Sequence, residues 1–170
     1  MRSPERLVLL LAWLLFAPAV PALSSDREQP IQIEADRLEI DEARGTSHYQ
    51  GAVVLRQGSL RLEADSLMLY SQDRRLRRVI AEGQPARFRQ RPDGAKQAIE
   101  AEARRIEYTT DDGLLVFSGA AELRQGGNRF RGQRIEYDSR TERVRASGDD
   151  NAEGRGRIQV IIQPQARERQ

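Results

Sequence analysis

Chemistry needs a nucleophile, a metal-ligand cluster or placed carboxylates, and this sequence is sparing with all three. His48 is its single histidine, and there is no cysteine. No HExxH zinc pair, phosphate-binding GxxxxGK loop or EF-hand spacing occurs. The acids best placed to act together are Glu34 with Asp36 and Glu63 with Asp65. Two carboxylates astride a glycosidic oxygen would suffice for sugar hydrolysis. Both pairs, however, sit at the same place in similar segments, IQIEADRLEI from 31 and LRLEADSLML from 60, where they alternate with apolar residues as a solvated strand face does. The glycine-rich QGGN at 125–128 leads into a strand pattern and so lacks the helix dipole that cradles phosphate. The residues therefore predict no catalytic group, no metal site and no cofactor. A carbohydrate-processing β-fold enzyme is the alternative that the carboxylates would serve.

The elements that carry these residues begin after a leader. MRSPER runs into LVLLLAWLLFAPAV, an apolar stretch of 14 residues, short of the about 20 that span a bilayer. Small residues follow around Pro21 and Leu23, as a secretory cleavage site requires. The expectation is a signal peptide over 1–23, an exported domain over 24–164 and a short tail over 165–170. Losing Arg2, Glu5 and Arg6 takes the net charge from +2 to +1. Charges of both signs are interleaved, with no basic block of the kind that nucleic acid recognises.

The chain repeats itself. GAVVLRQG at 51–58 and GAAELRQG at 119–126 lie 68 residues apart, and the same offset aligns Ile31, Glu34, Ala35, Arg37 and Glu39 with Ile99, Glu102, Ala103, Arg105 and Glu107. Within each half a finer unit recurs, giving IQIEADRLEI, LRLEADSLML, IEAEARRIEY and NRFRGQRIEY, with turn signals such as RPDG and DDG between them.

Apolar residues alternate with a period of two, so the units are strands with one buried face. In each unit the phase slips once: apolar positions 60, 62 and 64 resume at 67 and 69, and 99, 101 and 103 resume at 106 and 108. A three-residue step in a two-residue period requires a bulge or corner. The residue before the slip is small in every unit, Ala35, Ala64, Ala103 and Gly132. The pattern predicts an all-β protein, an antiparallel sheet folded over on itself at this corner; a parallel β-helix is the competing architecture, and hairpin turns such as Asp111-Asp112-Gly113 favour the antiparallel form. Pro30 and Pro164 bracket the strands, so segments 31–35 and 157–162 should form open edges, with Ile31, Gln32 and Ile33 at one and Ile158, Val160 and Ile162 at the other available to a partner.

QPIQIEAD from 29, the G-A-V-x-L-x-Q-G phrase, the strand motifs and the leader together resemble the OstA-like LptA family of periplasmic lipopolysaccharide-transport proteins, across about Gln29 to Pro164. The resemblance implies a half-open β-jellyroll that holds lipid A acyl chains and bridges inner and outer membranes. It also implies lipopolysaccharide as ligand, the inner-membrane-anchored LptC and the N-terminal domain of outer-membrane LptD as partners, and head-to-tail self-association. The family's lipid-contacting positions near the first strand fall on Ile31 and Ile33; by the pleat, Ala35, Leu62, Ile99, Phe117, Leu123 and Phe130 could share that lining. Related domains of the same fold, LptC and the N-terminal part of LptD, remain open as readings.

Overall fold

The computed structural model describes residues 26–91, 97–148 and 156–164. The expected signal peptide, the C-terminal tail and most of the RPDG turn lie outside the described residues. After a 3-10 turn at Asp26–Glu28 come ten strands: β1 (Gln32–Glu34), β2 (Arg37–Asp41), β3 (Thr46–Gln57), β4 (Leu60–Gln72), β5 (Arg75–Gln90), β6 (Ile99–Thr109), β7 (Leu114–Gln125), β8 (Asn128–Asp138), β9 (Arg143–Ser147) and β10 (Gln159–Ile161). They form one sheet in the order β1-β3-β4-β5-β6-β7-β8-β10, with β2 also on β3 and β9 also on β8. Every pairing is antiparallel, which excludes the parallel β-helix.

The predicted corner is present. Register breaks between Gln50 and Val53 in β3, Glu63 and Ser66 in β4, Glu82 and Ala86 in β5, Glu102 and Arg105 in β6, and Ser118 and Ala121 in β7. The breaks line up across the sheet and divide each long strand into two arms, so the sheet becomes two leaves. We call leaf 1 the arm that carries β1 and β10, and leaf 2 the arm that carries β2 and β9. The ladder carries small residues beside the fold line, with Ala86 opposite Ala103 and Ala121 opposite Gly132. The leaves pack face to face: the buried cluster draws Leu62, Phe88 and Leu123 from leaf 1 and Leu67, Phe117 and Ile135 from leaf 2. The Phe88 and Phe117 rings meet across the fold with centroids 5.9 Å apart.

The repeated phrase earns its place here. Gly51 and Ala52 have φ of 81° and 43°, and their counterparts Gly119 and Ala120 have 82° and 53°. These left-handed pairs insert the extra residue that carries β3 and β7 around the corner. The turns repeat as well: the Ser71 N–H donates to Gly45 O at 2.8 Å, and the Ser139 N–H to Gly113 O at 2.9 Å. Both pairs are related by the same 68-residue offset.

Side chains tolerate this corner unequally. A Cβ on Gly51 would lie 2.8 Å from Asp36 Cβ at a φ that disfavours side chains. Gly51→Val is therefore expected to cost about 2 kcal/mol or more. Ala120 is exposed, so Ala120→Gly removes backbone strain without losing burial and should stabilise by about 0.5–1 kcal/mol. Thermal unfolding of the two variants should shift in opposite directions; equal destabilisation by both would refute a corner built on left-handed backbone.

Candidate functional site

Inward-facing residues form rows that cross the sheet from edge to edge. On leaf 1 the ladder places Ile33, Leu55, Leu62, Phe88, Ala101, Leu123, Phe130 and Val160 in successive register. On leaf 2 a matching row runs Leu38, Tyr49, Leu67, Ala81, Ile106, Phe117, Ile135 and Ala146. Side chains in the middle of both rows are buried, while the rows end at open edges. The large hydrophobic side chains left exposed among the described residues are Ile31, Leu38 and Ile40 at one edge and Ile158, Val160, Ile161 and Ile162 at the other, between 42% and 71% exposed.

Away from the corner the leaves part around a cavity of about 640 Å³, within the range of small-molecule sites. Its walls are Leu55, Leu60, Leu62 and Phe88 from leaf 1 and Leu76, Val79, Ile106, Tyr108 and Leu115 from leaf 2. Ile31 also lines it, and Asp26, Gln57, Gln90 and the Ser139–Glu142 turn form a polar rim.

The N-terminal turn is latched to this rim. The Asp26 carboxylate accepts the Ser59 N–H at 2.7 Å, the Ser59 hydroxyl at 2.6 Å and the Gln90 amide at 3.0 Å. Gln57 donates to Gln29 O at 3.0 Å. Burial pushes the Asp26 pKa up, but the bonds from Ser59 and Gln90 outweigh it and hold the carboxyl below its ordinary value.

Of the eight residues expected on a lipid lining, Ile31 and Leu62 face the cavity. Ile33 and Phe130 are half-buried against the core, Ile33 near the β1 edge and Phe130 beside β10. Ile99, Phe117 and Leu123 are fully buried packing residues. Ala35 is exposed between β1 and β2, where the chain changes leaf. Leu60, Leu76, Val79 and Tyr108 line the cavity as well; the alternation marks Leu60 and Tyr108 as inward but does not measure distance from the corner, and the register shift at Tyr70/Ser71 hides the inward facing of Leu76 and Val79.

At the edges, Gln32 and Ile33 lie in β1 and Val160 in β10, with Ile31 before β1 and Ile158 and Ile162 flanking β10. The candidate catalytic groups sit on outer faces. His48 Nε2 is 3.0 Å from the Ser66 hydroxyl. Glu34 pairs with Arg56 and Glu63 with Arg61, each at 2.6 Å. Asp36 and Asp65 are exposed. Glu122 gathers Arg124, Arg129 and Arg131; its burial raises the pKa, and the hydrogen bonds from Arg131 and Arg124 reverse that shift.

Residues 32–143 match the family described as LptA/(LptD N-terminal domain) LPS transport protein. The chain belongs to this family. It is 37% identical to the lipopolysaccharide export system protein LptH of Pseudomonas aeruginosa, over 84% of each chain. It is 27% identical to the export protein LptA of Escherichia coli K12, over 92% of this chain and 84% of that one. The crystal structure of Pseudomonas LptH, the LptA-homologous periplasmic component of the lipopolysaccharide transport device, superposes with a TM-score of 0.75 at 35% identity, over 83% of this chain and all of that one. The half-open antiparallel fold is thus the LptA fold. Its relatives are transport proteins rather than enzymes, which decides against the carbohydrate-processing alternative.

The latch gives this LptA-family chain a measurable pH response. Because the Asp26 pKa is lower in the folded state, its contribution is present above the unfolded value and is lost as pH falls through the folded one. Wild type should melt above Asp26→Ala at neutral pH, and the gap should close below pH 3.8. A gap that persists unchanged into that range would show that the latch does not depend on the charge.

Proposed function

We propose that the mature domain, residues 24–164 after removal of the 1–23 leader, carries lipopolysaccharide across the periplasm with its lipid A acyl chains between the two leaves. The single observation that supports this most is the placement of exposed apolar side chains. They are confined to the two sheet edges, where the inward rows end, so each edge offers apolar surface to whatever docks there. Unpaired edge strands accept a further strand from a partner. Copies joined β10 edge to β1 edge make a heterologous contact that propagates rather than closes. The same edges suit the related folds of LptC at the inner membrane and of the LptD N-terminal domain at the outer membrane, giving a continuous bridge.

The cavity is polar at its rim and apolar within, which matches an amphiphile with buried tails and a wet headgroup. Burying an unpaired charge in the apolar wall is costly. A photo-crosslinker at Ile31 or Leu60 should capture lipopolysaccharide, while one at outward Glu34 should not. Ile33→Asp should reduce lipid co-purifying with the protein several-fold while the fold persists, since this side chain is only half-buried. Equal capture at Ile31, Leu60 and Glu34 would overturn the assigned face.

A further inference from the structure

The internal repeat supplies a template for how two edges would meet. By the 68-residue offset, β1 and β2 are the counterparts of β6: Ile33 corresponds to Ala101, Leu38 to Ile106 and Ile40 to Tyr108. At the other edge, β9 and β10 are the counterparts of β5. Ala146 lies opposite Ile135 as Ala81 lies opposite Leu67, and Val144 opposite Tyr137 as Val79 opposite Leu69. Val160 lies opposite Phe130 as Phe88 lies opposite Leu62. Inside the chain, β5 and β6 pair with each other. Their counterparts stand at opposite edges, each with that side unpaired.

We propose that the β9–β10 edge of one copy pairs with the β1–β2 edge of the next in the register that β5 and β6 use within the chain. This rests on the stacking reading above and adds its register. In the template Phe88 faces Ala101, Ala81 faces Ile106 and Val79 faces Tyr108. Transferred to the junction, Val160 faces Ile33 of the next copy, Ala146 faces Leu38 and Val144 faces Ile40. The inward rows then continue unbroken from copy to copy, and Val160, Leu38 and Ile40, exposed in the single copy, find apolar partners.

The outer face carries the independent support. Ile80 lies opposite Glu107 and Arg78 opposite Thr109, so the transferred register sets Arg145 opposite Glu39 and Arg143 opposite Asp41. Both meetings join opposite charges, although the residues that occupy the template positions differ. The template junction itself uses such pairs, with Arg78 to Glu107 and Arg89 to Glu100 at 3.6 Å and Arg87 to Glu102 at 3.9 Å. Within one copy, Asp41 already meets Arg44 at 3.1 Å and Arg145 meets Glu136 at 4.0 Å. These are exposed contacts that a second partner extends rather than breaks. Polarity follows as well: β9 carries Arg143 and Arg145 with no acid, so a β9 edge offered to another β9 sets arginine against arginine.

Charge reversal tests the register on the mature chain. Glu39→Arg with Asp41→Arg, and separately Arg143→Glu with Arg145→Glu, should each weaken self-association by about tenfold in sedimentation. Thermal melting checks that each variant keeps its fold, and Glu39→Arg alone is the control that spares Asp41, which accepts the Arg44 N–H in the β2–β3 turn. Mixed together, the two variants present complementary edges at every junction and should associate as wild type does. Since the chain has no cysteine, Ile33→Cys with Val160→Cys adds a direct reading. Opposed strand positions are within disulfide reach, so oxidation should give a covalent ladder, whereas Ile31→Cys with Val160→Cys should give little. Wild type that associates while both reversals associate equally well, or ladders of equal yield from both cysteine pairs, would overturn the register. Wild type that stays monomeric at every concentration would overturn the stacking reading itself.

Discussion

The whole molecule depends on one backbone event, a break in the ladder between successive long strands at the same line. In β4 and β6 the inward apolar residues resume three positions on, Leu67 after Ala64 and Ile106 after Ala103, so an unbroken alternation through the corner would turn those of one leaf to water. In β3 and β7 the break falls at Gly-Ala pairs with positive φ, in the neighbouring strands beside alanines. Small side chains are required there because the two leaves converge, and Ala103 and Ala121 are buried where a larger side chain would wedge them apart. With the corner set, both leaves can present apolar residues to each other, and the trough opens with distance from it.

That event was legible in the sequence because it is a break in a period. The slip from Ala64 to Leu67 and from Ala103 to Ile106 is visible in the letters alone, and so is the repeat that duplicates it. The edges were legible from the flanking prolines. The lining was read less well. Alternation tells inward from outward but not covered from open, so Ile99, Phe117 and Leu123 were grouped with the lining although leaf 2 and leaf 1 close over them. Leu60, Leu76 and Tyr108 also face inward and lie where the leaves have parted. Ala35 shows the limit from the other side: its small size correctly marks a corner, but at an edge strand a corner faces solvent.

The outer faces follow a different logic. Arginine and glutamate alternate across neighbouring strands, as in Arg87 with Glu102 and Arg89 with Glu100. Exposed pairs of this kind add little stability, about 0–1 kcal/mol each. Their value lies in keeping a sheet with two open edges soluble and in distinguishing correct from incorrect neighbours, which an apolar row cannot do by itself.

The edge-to-edge rows also determine how a cargo would move. Strands are spaced about 4.8 Å apart, so the seven steps from Ile33 to Val160 span about 34 Å, open to the cavity at Leu55, Leu62 and Phe88 and closed over at Ala101 and Leu123. No polar or charged residue is buried among the described residues, and the contacts at each rung are dispersion contacts of about 0.1–0.2 kcal/mol per atom pair. A hydrocarbon tail lying in the cavity, against Leu55, Leu62 and Phe88, would meet a shallow corrugation rather than a deep well. Such a surface offers low friction and no memory of direction.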